Sequence, residues 1–231
     1  MDIIEVFKSI QGEGKTQGRE CVFIRFPNCN LKCLFCDSKY TWKNIKNIKK
    51  VSLNDKIFTE SDNIVFTGGE PFLQKNLQQI KKFISIWNNK NYEIETNGTI
   101  LLSDDMIDFL KNSENKILFN ISPKINIKQE ECCQTEPIFI TQIEYLKNCK
   151  FYNNIDYIVK FLFKDEDDLK YIKDIQKKYY IDKSKIWCQP CGTSLDTLKK
   201  TTLKYFDKII NENWNISLRL HVFLFDNRRG V

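Results

Sequence analysis

The chain lacks the features that would mark a membrane protein, a secreted scaffold or a repeat array. Its longest apolar runs, such as residues 22–26 and 157–163, are strand-length and broken by charge. A membrane-spanning helix needs roughly 18 consecutive apolar residues. The opening Met1-Asp2-Ile3-Ile4-Glu5 has no basic segment and no small-residue cleavage site, so no secretory leader is expected and the cytoplasm is the expected location. No internal repeat, low-complexity linker or marked boundary interrupts residues 1–231, which read as a single domain. Histidine is nearly absent, with His221 alone. It falls in the apolar run 218–225, which reads as a strand, and a lone histidine there is expected to be a hydrogen-bonded structural residue rather than a catalyst.

What is present supports a sizeable core. Of 231 residues, 42% are hydrophobic and 17 are Phe, while 29% are charged, a balance unlike that of a disordered tail. The net charge of +6, from 36 Lys and Arg against 30 Asp and Glu, is modest for this length. The densest basic run, Lys43, Lys46, Lys49 and Lys50, reads as solvated surface, with an anionic partner as the alternative. No nucleic-acid groove is expected.

Strand-like runs at 3–7, 22–26, 63–66, 92–95, 117–121, 157–163 and 186–188 alternate with helical patterns. Leu73, Leu77, Ile80, Ile84 and Trp87 recur at helical spacing. Met106, Ile107 and Leu110 do so behind a capping Ser103. Leu169, Ile172 and Ile175 mark a third helix, and Leu195, Leu198, Phe206 and Ile209 a fourth. Strand followed by helix, repeated, predicts a parallel α/β sheet. A complete eight-fold barrel takes about 250 residues, so an incomplete, TIM-like barrel fits better, with a doubly wound sheet as the competing arrangement. In either case the reactive loops belong at the carboxyl ends of the strands.

Nine cysteines are an odd number, so they cannot all pair. In a reducing compartment metal binding or catalysis is favoured over a disulfide framework. Three lie close together in Cys29-Asn-Leu-Lys-Cys33-Leu-Phe-Cys36. A structural zinc site wants four protein ligands, and this local set stops at three. Three thiolates on a four-iron cluster leave one iron open to a substrate or cofactor. The alternative is a zinc knuckle completed by Cys188, Cys191 or His221. Gly68-Gly69-Glu70-Pro71 follows a strand and precedes a helix, where glycines allow close backbone approach to a ligand, and Ser122-Pro123-Lys124 closes another strand.

The C-x3-C-x2-C loop resembles that of the radical S-adenosylmethionine superfamily. Further motifs narrow the resemblance. They are Ser9-Ile10-Gln11-Gly12-Glu13-Gly14, Phe23-Ile24-Arg25-Phe26, Cys36-Asp37-Ser38, Thr67 to Pro71, Glu95-Thr96-Asn97-Gly98-Thr99, Ser122-Pro123-Lys124, Trp187-Cys188-Gln189-Pro190 and the closing Asn227-Arg228-Arg229-Gly230-Val231. In this order, from residue 5 to the last, they resemble the 7-carboxy-7-deazaguanine synthase family.

That resemblance implies a radical SAM core and a carbon–nitrogen lyase. The reaction converts 6-carboxy-5,6,7,8-tetrahydropterin to 7-carboxy-7-deazaguanine with loss of ammonia, on the route to queuosine and other 7-deazapurines. It implies a [4Fe-4S] cluster on Cys29, Cys33 and Cys36. S-adenosylmethionine would lie against Phe35, Asp37, Gly68, Gly69, Glu70, Ser122, Pro123, Lys124, Gln189 and Pro190. Mg2+ would sit on Ser38, where many members carry threonine; serine keeps the oxygen ligand. Substrate would meet Ile10, Gln11, Gly12, Glu13, Arg25, Thr67 and Val231, with Arg25 on the carboxylate. An electron donor such as flavodoxin or ferredoxin and a homodimer are implied as partners. A glycyl-radical activase would share the cysteine loop and the Gly-Gly-Glu turn but not need the Gln11 loop or Arg25. Cys188 and Cys191 flank the matching Gln-Pro pair and read as bystanders, and Cys132 and Cys133 fall in a Glu-rich stretch read as a variable loop.

Overall fold

Side chains that alternate between two faces of a strand set the architecture. The computed structural model describes residues 1–34, 36–124, 143–144, 146–147, 153–226 and 228–230. They form two compact units, one within 1–9 and 20–157 together with Gly230, the other within 10–19 and 158–229. Phe35, Cys132, Cys133, Asn227 and Val231 lie outside the described residues.

In the first unit β1 (Asp2–Ile3) pairs antiparallel with β4 (Lys49–Lys50). The main strands are β2 (Glu5–Ile10), β3 (Glu20–Phe26), β5 (Asn63–Gly68), β6 (Asn91–Thr96) and β7 (Lys116–Ile121). They lie in the order β2, β3, β5, β6, β7, with β2 at an edge. The pairs β3–β5, β5–β6 and β6–β7 are all parallel. On one face Ile24 stands opposite Phe66, Phe66 opposite Ile94, and Ile94 opposite Phe119, all fully buried. Helix α1 (Gln74–Ile86) buries Ile80, Phe83 and Ile84, and Phe83 meets Phe66 edge to face at 5.7 Å. The opposite face is polar at its carboxyl end, where Arg25 stands opposite Thr67 and Glu95 opposite Asn120.

Helix α2 (Asp104–Lys111) starts as predicted: the Ser103 hydroxyl accepts the Met106 N–H at 3.3 Å, with Asp104 and Asp105 in the first turn.

In the second unit β9 (Ile186–Pro190) pairs in parallel with β8 (Ile155–Phe163) and with the short edge strand β10 (Asn215–Ile216). Helix α3 (Glu166–Lys178) is capped by Asp165 and α4 (Leu195–Asn211) by Ser194. Two details differ from the sequence reading. On α4 the inward stripe is Leu198, Tyr205 and Ile209, whereas Leu195 is 37% and Phe206 45% exposed. Spacings of seven and four keep Tyr205 on the face of its partners, and Phe206 lies about 100° further round. The run 218–225 is helical over α5 (Leu220–Phe225), with only Val222 buried; a short apolar run does not by itself separate strand from helix. Among the described residues no helix is long and apolar enough to cross a membrane.

Replacing Ser103 by Ala leaves the Met106 amide without its cap and is expected to destabilise the protein by about 1 kcal/mol. Urea unfolding of the two proteins checks this, and equal midpoints would show that the cap contributes nothing.

Candidate functional site

The site of the first unit begins where β3 ends. After Phe26 the chain turns through Asn28, at φ 69°, and enters the cysteine loop. The turn after β5 lies directly against it. Gly69 N–H donates to Phe26 O at 3.0 Å and Glu70 N–H to Asn28 O at 2.8 Å. A Cβ on Gly69 would lie 1.6 Å from Asn28 O, and one on Gly68, at φ 120°, 2.4 Å from Phe26 O. Both glycines are therefore required by the approach of two main chains. The sequence reading ascribed them to the approach of a ligand; the structure adds a main-chain neighbour, the start of the cysteine loop itself.

Glu70 is fully buried. Its carboxylate accepts the Phe72 N–H at 3.0 Å, the Thr96 hydroxyl at 2.8 Å and the Asn97 N–H at 2.8 Å. Burial raises its pKa although these bonds and Lys124 act the other way. The side chain thus braces the turn after β6. From that turn Asn97 Nδ2 reaches Asn30 Oδ1 at 3.0 Å and Cys29 Sγ at 3.8 Å, and Asn30 donates to Thr99 Oγ1 at 2.6 Å. The motif Glu95-Thr96-Asn97-Gly98-Thr99 signalled this turn, but Thr96, Asn97 and Thr99 were not among the residues expected to form the site.

The thiols lie along one loop. Cys29 Sγ accepts the Leu31 N–H at 3.4 Å and Cys36 Sγ accepts the Trp42 indole N–H at 3.3 Å, while the Cys36 N–H donates to Cys33 O at 3.2 Å. Among the described residues no three His, Cys, Asp or Glu side chains converge enough to hold an ion. Burial pushes the Cys29 thiol up to about 12, so its thiolate needs a neighbouring cation, which a bound metal provides. Three soft donors with N–H groups on two of the sulfurs fit an iron–sulfur centre.

Other expected residues of this unit lie at the carboxyl ends of the strands or, for Asp37 and Ser38, just before the short turn Lys39–Thr41. Ser38 Oγ donates to Asp37 Oδ1 at 2.9 Å, two oxygens of the hard kind that Mg2+ accepts. Lys124 Nζ donates to Ser122 Oγ at 2.7 Å, beside the buried Pro123. Arg25 Nε donates to Glu5 Oε1 at 2.7 Å, and Tyr40 donates to the same oxygen at 3.0 Å. The guanidinium also lies 6.0 Å from the Phe7 ring centre and 5.9 Å from that of Tyr40. The buried Thr67 hydroxyl donates to Glu95 at 2.5 Å. A Cβ on Gly230 would sit 4.0 Å from Glu5 Oε2.

In the second unit Ile10 to Glu13 form a loop pinned by its own groups. Gln11 N–H donates to Arg19 O at 2.7 Å, and the Gln11 side-chain oxygen accepts the Glu13 N–H at 3.2 Å. Gly12 has no room for a side chain, since a Cβ there would lie 2.1 Å from His221 Nδ1. Glu13 is held by Lys160 and by Arg219 Nε at 3.0 Å, with His221 Nε2 at 4.0 Å. Burial alone would raise the Glu13 carboxyl, but Lys160, Arg219 and His221 hold it well below the usual carboxylate range. Lys160, Arg219 and His221 were not among the expected site residues. Gln189 is buried, and its Oε1 accepts the Ser217 hydroxyl at 2.8 Å; Ser217 in turn accepts the Gly14 N–H at 2.8 Å. Pro190 ends β9, buried. Cys188 and Cys191 are both thiols, and Cys188 is fully buried.

Known proteins resemble this chain in sequence and in fold. Residues 23–126 match the radical SAM superfamily. The 7-carboxy-7-deazaguanine synthase of Clostridium acetobutylicum is 31% identical over 244 residues, covering 99% of this chain and 98% of that one. That of Thermoplasma acidophilum is 27% identical across the whole of both chains. Among solved structures, QueE from Escherichia coli superposes with a TM-score of 0.61 at 21% identity, covering 95% of this chain and 94% of that one. A second, anSMEcpe with bound AdoMet, gives 0.54 at 18% identity over 87% of this chain and 64% of that one. The fold is the expected α/β arrangement of parallel strands in an incomplete barrel.

The Glu13 cluster predicts a pH dependence. A carboxyl whose pKa is lowered on folding contributes stability that is present above its ordinary value of 4.5 and lost as pH falls below it. Glu13→Gln is therefore expected to be less stable than wild type at pH 7, with the gap narrowing steadily as pH falls from about 5 toward 3. Urea unfolding across this range measures the gap, and a constant difference would contradict the assignment.

Proposed function

The chain belongs to the 7-carboxy-7-deazaguanine synthase family, and from this premise we propose that it is a radical S-adenosylmethionine enzyme of queuosine and deazapurine biosynthesis. It is a lyase that converts 6-carboxy-5,6,7,8-tetrahydropterin to 7-carboxy-7-deazaguanine and releases ammonia. The observation that carries the reading is the joining of the Gly-Gly-Glu turn to the start of the cysteine loop, by Glu70 N–H on Asn28 O at 2.8 Å. It brings the two superfamily motifs into direct contact.

Cys29, Cys33 and Cys36 would hold a [4Fe-4S] cluster, with one iron left for S-adenosylmethionine. Bound there, cluster and cofactor would supply one-electron radical chemistry, which the protein would position and shield. The turn at Gly68, Gly69 and Glu70 serves the methionine amino group through its main chain, because the Glu70 carboxylate is taken up by Phe72, Thr96 and Asn97. Ser122, Pro123 and Lys124 offer a hydroxyl, a fixed strand exit and a cation to the cofactor's carboxylate or ribose. Phe35, Asp37, Gln189 and Pro190 complete that set by resemblance. Ser38 supplies the Mg2+ oxygen, and its bond with Asp37 supports a shared oxygen site.

Arg25 meets the substrate carboxylate. Its Nε is committed to Glu5, which fixes the plane of the guanidinium and directs the terminal nitrogens toward a carboxylate as a fork. Thr67 contributes its hydroxyl, Ile10, Gln11 and Gly12 their main-chain and amide groups, and Glu13 its carboxylate. Val231 joins the substrate set by resemblance. A low-potential electron donor such as flavodoxin or ferredoxin, a homodimer and a cytoplasmic setting complete the proposal.

The test is anaerobic turnover of the reconstituted protein with dithionite, S-adenosylmethionine, Mg2+ and the carboxytetrahydropterin, followed by mass analysis. Carboxydeazaguanine and ammonia are the expected products. Arg25→Lys keeps the charge and loses the fork. A charged hydrogen bond contributes about 1.5–3 kcal/mol, so this variant should weaken substrate binding by about tenfold or more while S-adenosylmethionine cleavage without substrate persists. Pterin recovered unchanged from wild type would overturn the function, and an unchanged KM in the variant would overturn the role of Arg25.

A further inference from the structure

We propose that Asn120 is a specificity-determining residue of this site, whose side-chain oxygen accepts an N–H from the 2-amino group of the pterin. The proposal rests on the substrate reading above and extends it to a residue outside the expected set. Asn120 lies near the carboxyl end of β7 and is fully buried. Its Nδ2 donates to Glu93 Oε1 at 2.8 Å. A carboxylate only accepts, so this bond fixes which end of the amide faces Glu93 and turns Oδ1 the other way. Oδ1 is itself buried, and no described residue donates to it. A buried carbonyl oxygen left without a donor costs free energy, and nearly all such groups in folded proteins have a partner.

The surroundings identify that partner. Asn120 stands opposite Glu95 in the register of β6 and β7. Glu95 accepts the Thr67 hydroxyl, and Thr67 stands opposite Arg25. Four neighbouring strands thus carry one row across the polar face, with the guanidinium at one end and the unpaired carbonyl oxygen at the other. Strands lie about 4.8 Å apart, so the three steps from β3 to β7 span about 14 Å at the backbone. Side chains that reach inward from both ends shorten the gap. A 6-carboxypterin has the matching polarity, with a carboxylate at one end of a rigid bicycle and an amino group, a donor, at the other. Among the described residues, buried side-chain atoms on Asn115, Trp187, Thr202 and Trp214 also lack a partner. None of these residues belongs to the row, and Asn120 Oδ1 is the one carbonyl oxygen in the set.

The experiment measures the binding of two fluorescent probes to the reconstituted, unreduced holoenzyme with S-adenosylmethionine and Mg2+. The probes are 6-carboxypterin and 6-carboxylumazine, which differ in bearing an amino group or a carbonyl oxygen at C2. Their aromatic C6 has no hydrogen to lose, so neither is turned over. Wild type is expected to bind the pterin at least about tenfold more tightly than the lumazine, because a site built to accept an N–H rejects an analogue that presents an oxygen there. Asn120→Leu keeps the size and removes the oxygen. It is expected to weaken the pterin about tenfold and leave the two probes nearly equal. Asn120→Asp keeps the oxygen, and a proton shared with Glu93 replaces the amide N–H, so its preference should stay within about threefold of wild type. Equal affinity of wild type for both probes, or binding of neither, would overturn the proposal whether or not the variants fold. So would weakening of both probes by the same factor in the Leu variant, the mark of a merely structural role. An unchanged preference in that variant would assign Oδ1 to an enclosed water and also overturn it. Turnover of the carboxytetrahydropterin by wild type tests the underlying reading separately. Turnover without the preference removes Asn120 alone, whereas a wild type that leaves the substrate unchanged takes the proposal down with the reading.

Discussion

A single main-chain hydrogen bond, from the Glu70 N–H to the Asn28 carbonyl at 2.8 Å, is the contact on which the site of the first unit depends. It forms only because residue 69 has no Cβ, which would otherwise lie 1.6 Å from that carbonyl oxygen. The parallel register of β3 and β5, with Phe26 opposite Gly68, delivers both chain ends to the same level. The buried row of Ile24, Phe66, Ile94 and Phe119 fixes that register by burying one face. The Glu70 carboxylate then carries the constraint across to β6 through Thr96 and Asn97, and Asn97 returns it to Cys29. Core packing, turn geometry and the cysteine loop are thus one connected structure.

The second unit solves a different problem. Glu13 is taken out of water and kept ionised by two cations from distant parts of the chain, Lys160 and Arg219. A buried carboxylate costs free energy unless paired and hydrogen-bonded. The pairing holds the loop that carries Ile10, Gln11 and Gly12, and Gly12 in turn admits His221 against its main chain. Electrostatics here gives the loop one geometry.

Much of this was legible because it is local in sequence. Three cysteines within eight residues, a Gly-Gly-Glu-Pro turn after a strand, and Ser103 ahead of Met106 and Ile107 each carry their physics within a few residues. Contacts that join remote segments were not legible. Lys160 and Arg219 lie 147 and 206 residues from Glu13, and no periodicity announces such a pair. The glycines at 68 and 69 were recognised, but the close approach of the main chain at Phe26 and Asn28 was not, because a close approach of two main chains and a close approach to a ligand leave the same residue type. The choice of Tyr205 over Phe206 for the core turns on one step of helical rotation. The helical state of Leu220–Phe225 depends on neighbours that a short apolar run does not reveal.

The central claim is that the cysteine loop and the turn bonded to it build one site for a cluster and S-adenosylmethionine. Electron paramagnetic resonance of the dithionite-reduced, reconstituted protein, recorded without and with S-adenosylmethionine, tests it most directly. The account predicts a reduced [4Fe-4S] signal whose g values shift when the cofactor is added, because it meets the iron that the three cysteines leave open. A reduced cluster whose spectrum is identical in both samples would contradict it.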